Sequence, residues 1–268
     1  MQRLHLFEIH DSAVCPETIR NGLTDFLEIS TQVFDTYGAV RAQIAELLAR
    51  SGVRHVVDLC SGAGGPWLHW LKKGLIDASV TLTDKFPNAS ICDHLAGSGI
   101  AGLTYRKEPV DATEVPSDLT GLRTVFTAFH HFSPERARAI LADAVLKHQP
   151  IGIFELTSRC PRALLSMFLS PFGVWLLTPW MERIGWRKLL LTYVIPLIPL
   201  CVLLDGIASC FRTYSVQELH AMVSNTTYHW VIGAVRGRGG PITYLVGTPK
   251  IGPRRDPGSA NAIHTRQV

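Results

Sequence analysis

Val56-Val57-Asp58-Leu59-Cys60-Ser61-Gly62-Ala63-Gly64-Gly65 reads as a buried strand that ends in an acid and breaks into a glycine-rich turn. Pro66 then opens a helical pattern, so the unit is strand, tight turn, helix N-terminus. Gly62 and Gly64 have no Cβ and can take positive φ, which lets a ligand approach the backbone closely. Open α/β sheets hold nucleotides or nucleosides in this way, although ordinary tight turns share the pattern.

Working outward, polar groups recur at the ends of consecutive strand patterns. Ser79-Val80-Thr81-Leu82-Thr83 ends in Asp84, where an acid can accept both hydroxyls of a ribose. Val110-Asp111-Ala112 follows the apolar stretch around Leu103 and Tyr105, and Asp111 could accept the exocyclic amine of adenine. Thr124-Val125-Phe126-Thr127-Ala128 runs into Phe129-His130-His131-Phe132, and Ile151-Gly152-Ile153-Phe154 ends at Glu155. The carboxyl ends of parallel strands are where such sheets bind ligands.

The segments DLCSGAG, LTDK, VDA and FTAFHHF together resemble the class I S-adenosylmethionine-dependent methyltransferases, over residues 40–157 and, in outline, 213–248. Cys60 departs from the pattern, standing where that family most often has its first glycine. The resemblance implies a Rossmann-like α/β fold: a mostly parallel seven-stranded sheet with an antiparallel last strand and an N-terminal helical cap; to this the chain's own composition adds an apolar helical insertion after strand five. The resemblance also implies S-adenosylmethionine as cofactor, held by Asp58, Cys60, Ser61, Gly62, Gly64, Asp84, Lys85, Asp111, Ala112, Thr127 and Ala128. Tyr37, Thr24 and Asp25 of the cap are candidates for its methionine end. The loop lacks the GxGxxG spacing of a dinucleotide fold, which disfavours a nicotinamide enzyme.

Residues 1–50 form the expected cap, with apolar positions from Pro16 to Ala49 at helical spacing. The core is expected over 51–157, with helices at Pro87–Ala96 and Ser133–Lys147; Ser133-Pro134-Glu135 is a strong start signal. Residues 213–249 supply a helix near Ser215–Val223 and strands at Tyr228–Val235 and Ile242–Val246, joined through Gly237, Gly239, Gly240 and Pro241. Residues 250–268 read as a disordered tail.

Between these parts, residues 158–212 are unusual. Ala163–Met181 and Leu189–Leu204 carry no charge, and Glu182, Arg183, Arg187 and Lys188 separate them. The first run has the length of a membrane span but contains Pro171 and Pro179, and the second contains Pro196 and Pro199. Three readings stand: a lid over the acceptor pocket, a homodimer contact, or a membrane-interface element over residues 163–204 anchored by Trp175, Trp180 and Trp186. Each makes a small, apolar acceptor the expected substrate, with a lipid or quinone-like molecule under the membrane reading.

Lys and Arg total 26 against 22 Asp and Glu, an excess too small and too scattered for a nucleic-acid surface. The six cysteines show no CxxC pair and no metal-ligand spacing, so no metal is expected. With no basic-then-apolar leader pattern at Met1, the expected location is cytoplasmic, peripheral to a membrane under the membrane reading.

Methyl transfer from a sulfonium needs mainly alignment and exclusion of water, plus a base if the oxygen or nitrogen acceptor must lose a proton. His130, His131 and Glu155 are the catalytic candidates. If the histidines continue an extended strand they point opposite ways, so one would serve the reaction and the other the fold. Glu155 could instead cap a helix or pair with Arg159. A non-catalytic nucleoside-binding protein of the same fold is the remaining alternative.

Overall fold

The computed structural model describes residues 1–12, 14–181, 184–223, 228–238 and 240–250. The expected tail from residue 251 onward, Gly239 of the turn, and Glu182 and Arg183 of the insertion lie outside them.

Two cap helices come first, α1 (Glu17–Phe34) and α2 (Arg41–Ser51), where the apolar spacing predicts one continuous helical stretch. The break falls at Asp35, which takes a left-handed conformation with φ 43°, followed by a 3-10 turn at Gly38–Val40. Periodicity survives the break because both helices bury apolar faces, so the pattern alone does not reveal it. Strand β1 (His55–Leu59) leads through the glycine turn into α3 (Trp67–Lys72), then β2 (Ser79–Leu82), α4 (Ala89–Ala96), β3 (Leu103–Tyr105) and β4 (Leu122–Phe126). After α5 (Pro134–Leu146) and β5 (Ile151–Glu155), the insertion supplies α6 (Pro161–Leu177), α7 (Trp186–Leu189), a π-helical turn at Leu190–Val194, and α8 (Leu197–Arg212). The chain closes with α9 (Val216–Met222), β6 (Tyr228–Arg236) and β7 (Pro241–Pro249).

The sheet order is β3-β2-β1-β4-β5-β7-β6, and only β7 runs antiparallel to its neighbours. Strands covered on both faces must be apolar on both, and β1 shows how alternation divides them. Val56 packs into a core with Ile44, Trp67, Trp70 and Phe154 on one face, whereas Val57 and Leu59 join Val125, Ile140 and Ile153 on the other. The helix ends follow local chemistry. The Ser133 hydroxyl accepts from Arg136 N with Pro134 in the first turn, Asn88 Oδ1 accepts from Ser90 and Ile91 N, and Ser215 with Glu218 forms a reciprocal capping box.

A third core lies outside the sheet. Ile19, Leu23 and Phe26 of α1 pack against Val174, Leu177 and Met181 and against Ile198 and Val202 of α8. Cap and insertion thus share one helical layer. Its buried ion pair joins Asp25 of α1 to Lys188 of α7.

Candidate functional site

The turn after β1 is held from within. Ser61 N donates to the Thr83 carbonyl at 2.9 Å, and the Ser61 hydroxyl to the Asp58 carbonyl at 2.8 Å. The buried Asp58 carboxylate accepts from Trp67 Nε1 at 3.0 Å and from the Thr124 hydroxyl at 2.5 Å, tying β1 to α3 and β4. Burial pushes its pKa up to about 6, despite those hydrogen bonds. Asp58 and Ser61 therefore shape the loop, with their side chains committed to protein partners.

Cys60, Gly62, Gly64 and Gly65 all have positive φ. A Cβ on Gly64 would lie 2.1 Å from the buried Leu68 Cδ1, so any side chain there forces Leu68 to shift and strains a backbone at φ 99°. A Cβ on Gly62 would meet nothing within 4 Å. The backbone at Gly62 is thus open on the side where a Cβ would project. Asp84 brackets it: one carboxylate oxygen accepts from Gly62 N at 3.1 Å and the other from Phe86 N at 2.9 Å. Tyr105, at the end of the apolar stretch that forms β3, donates its hydroxyl to the Gly62 carbonyl at 3.1 Å.

Beyond β3, the Asp111 carboxylate meets Lys85 Nζ at 2.6 Å, Arg136 Nη2 at 3.1 Å and the Thr113 amide and hydroxyl. Partial burial raises its pKa, but these donors outweigh that and hold the carboxyl well below its usual range. Ala112 beside it is buried. Strand β4 stops at Phe126, and Thr127 turns the chain with φ 43°, a costly conformation for a β-branched residue. The Thr127 hydroxyl accepts from Leu156 N at 3.1 Å and meets the buried Tyr37 hydroxyl at 2.5 Å, which brings the cap to the ends of β4 and β5. Ala128 precedes the next turn.

That turn corrects the strand-alternation expectation for the two histidines. Phe129–His131 is a 3-10 turn, and the rings of His130 and His131 lie side by side with centroids 4.3 Å apart. The left-handed Thr127 ends the extended backbone before the histidines, so they do not diverge. Their environments separate them instead: the His130 side chain is 1% exposed and that of His131 27%. Glu155 accepts from Phe129 N and His130 Nδ1, both at 2.7 Å. It therefore caps the turn and orients His130; Arg159, the other partner considered for it, pairs with Glu218.

Four residues missed at the sequence level complete this cluster. Glu8 Oε1 lies 3.7 Å from His130 Nε2, Asp11 Oδ1 lies 3.0 Å from His131 Nδ1, and Arg212 Nη1 reaches Asp11 at 2.7 Å and Glu8 at 3.3 Å. Ser209 donates to Glu8 at 3.2 Å. Burial pushes the Glu8 carboxyl up to about 7. Burial also acts upward on Asp11, but His131 and Arg212 overcome it and hold that carboxyl well below its usual range. Glu8, His130 and His131 lie close enough to share one cation, and the guanidinium of Arg212 already supplies positive charge to the carboxylates. Of the cap candidates for the methionine end, Asp25 is drawn away to Lys188 and the Thr24 hydroxyl donates to the Arg20 carbonyl; Tyr37 alone reaches the strand ends.

No protein-family model matches this chain, and no curated protein matches it. Among solved structures it is similar to the plantazolicin methyltransferase BpumL in complex with SAH, with TM-score 0.52 and 9% identity, over 87% of this chain and 98% of that one. It is also similar to NcsB1, an O-methyltransferase from neocarzinostatin biosynthesis in complex with S-adenosylmethionine and 2-hydroxy-5-methyl naphthoic acid. There the TM-score is 0.53 and the identity 15%, over 87% of this chain and 58% of that one. Such low identities carry the architecture alone, and it agrees with the strand order and the glycine turn: this chain has the fold of the class I S-adenosylmethionine-dependent methyltransferases.

Proposed function

We propose that this protein is a methyltransferase that takes its methyl group from S-adenosylmethionine and passes it to an oxygen or nitrogen of a small, apolar acceptor. The observation that carries this reading is the open Gly62 backbone bracketed by Asp84 at the carboxyl ends of β1 and β2. The open side of Gly62 admits a bulky ligand, and the Asp84 carboxylate stands at the place where a ribose would be read. Lys85, Asp111 and Ala112 border the adenine side in this reading, with Cys60, Ala128, Thr127 and Tyr37 toward the methionine side. When bound, the cofactor supplies a methyl group already activated on a sulfonium.

The residues of the chain then have modest work. They hold the acceptor in line and keep water out, which lowers the barrier through orientation. His131 is the base, because its ring is half-buried with access to solvent and its Nδ1 is held by Asp11. His130, buried and locked by Glu155, fixes the turn that presents His131. The test is calorimetry with S-adenosylhomocysteine and, separately, NADH. Binding of the former only is expected, and Asp84→Ala weakens it by roughly 1–3 kcal/mol, as for a lost charge-assisted hydrogen bond. Binding of NADH alone would overturn the proposal.

One observation favours a second acceptor class, a membrane lipid or quinone-like molecule met at the cytoplasmic face of a membrane. Much of the insertion's apolar surface points outward, with Leu165, Phe168, Leu169 and Phe172 all exposed. This weighs against the insertion acting solely as a lid.

A further inference from the structure

The helix α6 presents Leu165, Phe168, Leu169, Phe172 and Leu176 to solvent, and these positions follow one another at i, i+3, i+4, i+7 and i+11. That spacing is a single stripe along the helix. The stripe continues onto the π-helical turn: Phe172 meets Trp175 edge to face at 5.5 Å, and the Tyr193 hydroxyl donates to the Trp175 carbonyl at 2.7 Å. Val194 and Ile195 follow, both exposed, and α8 adds Leu197, Leu200 and Leu204 at i, i+3 and i+7. A soluble monomer rarely leaves a contiguous apolar face of this extent in water.

We infer that this face docks in the plane of an anionic phospholipid leaflet, with α6 lying along the surface. The inference deepens the membrane reading above but does not depend on the methyl-transfer reading. Three observations select this occupant. Pro161–Trp180 is long and apolar enough to cross a bilayer, with mean hydropathy 1.4, and Trp186–Val194 with Leu197–Arg212 forms a second apolar pair bent by 72°.

The far side of α6, however, is packed on protein. Gly173 faces the Phe26 ring of α1, and Val174 and Leu177 enter the core shared with α1 and α8. Helix α1 carries Arg20, Asp25 and Glu28, so the layer beneath α6 cannot enter hydrocarbon without burying charge. One apolar side and one protein side make an in-plane element rather than a span.

The border has the chemistry of a headgroup region. Trp180 and Trp186 are exposed beyond the end of α6, and Arg187 lies over the Trp186 ring at 5.4 Å. Arg162 is exposed at the start of α6. Exposed tryptophan and arginine flanking the apolar helix along the chain match the composition of segments that meet an anionic leaflet.

The experiment is sedimentation of the full chain with vesicles of phosphatidylcholine containing one-third phosphatidylglycerol, with light scattering in vesicle-free buffer. Wild type is expected to pellet with these vesicles, less well as salt rises. Phe168→Glu with Phe172→Glu, both at exposed positions, is expected to cut binding at least tenfold while leaving the melting transition in place. If the double variant fails to fold, Leu165→Gln with Leu169→Gln repeats the test with uncharged side chains. A protein that stays in the supernatant overturns the inference. So does a stable dimer that Phe168→Glu dissociates without changing vesicle binding, since it would make the face a contact between copies. Vesicle binding is read without cofactor, so its failure is separate from a failure to bind S-adenosylhomocysteine.

Discussion

Glu155 at the end of β5 and His130 in the turn after β4 meet at 2.7 Å, both buried, with the same carboxylate also accepting from Phe129 N. A side chain fixed at this depth supports its neighbours more readily than it meets a substrate, and the half-buried ring beside it, with access to solvent, belongs to His131. His131→Ala is therefore expected to lower turnover by ~10² with little change in melting temperature or cofactor affinity. His130→Ala should destabilise by about 1–3 kcal/mol, because it strips a partner from buried Glu155. Turnover with a preferred acceptor, S-adenosylhomocysteine affinity and melting of both variants decide the assignment. Wild-type turnover in His131→Ala would remove that residue from the chemistry.

The two glycines of the turn should fail differently. Gly64→Ala places a Cβ against Leu68 and should lower stability by about 2 kcal/mol or more through overpacking and positive φ. Gly62→Ala meets open space, so its stability cost is limited to about 1 kcal/mol for the left-handed backbone. Its methyl group projects where the cofactor is proposed to lie, and S-adenosylhomocysteine should bind at least tenfold more weakly. Unchanged affinity in folded Gly62→Ala would place the ligand elsewhere.

Cys60 has φ 57° where glycine would carry no penalty. Cys60→Gly should hold or raise the melting temperature, since relief of about 1 kcal/mol of backbone strain offsets the lost packing of a half-buried thiol. Cys60→Val, β-branched in the same conformation, should lower it. Thermal melts of the pair would refute the strain argument if the order were reversed.

Glu8 makes stability depend on pH. Its folded-state pKa, about 7, lies above the ordinary 4.5 because burial disfavours the charged form. Its contribution to stability is full below about pH 4.5 and is lost as pH rises through about 7. Asp58, raised to about 6, acts in the same sense. Glu8→Gln, neutral throughout, should flatten the fall of unfolding free energy between pH 5 and 7 by an amount on the order of 1–3 kcal/mol, read from denaturant melts at each pH. Parallel profiles for variant and wild type would show that Glu8 ionises normally.

The sequence by itself determined the strand-turn-helix unit around the glycine turn and the strand that follows it. Asp58 through Gly65 span the end of β1 and its turn, and Asp84 follows β2; such ends are set by local patterns of period two followed by turn residues, whereas Asp111 sits in the loop well beyond β3. The helix starts at Ser133 and Ser215 were legible for the same reason, since a cap is a contact within a few residues. Tertiary structure decided the rest. Glu8 reaches the histidine turn from the far N-terminal side and Arg212 from about eighty residues downstream, and no local pattern pairs them. The left-handed Thr127, which turns His130 and His131 side by side, depends on Tyr37 and Leu156 holding its hydroxyl. The apolar insertion was visible as composition, but which of its faces is buried was settled only by the packing of α6 on α1, because hydrophobicity gives a helix its stripe and not the surface that covers it.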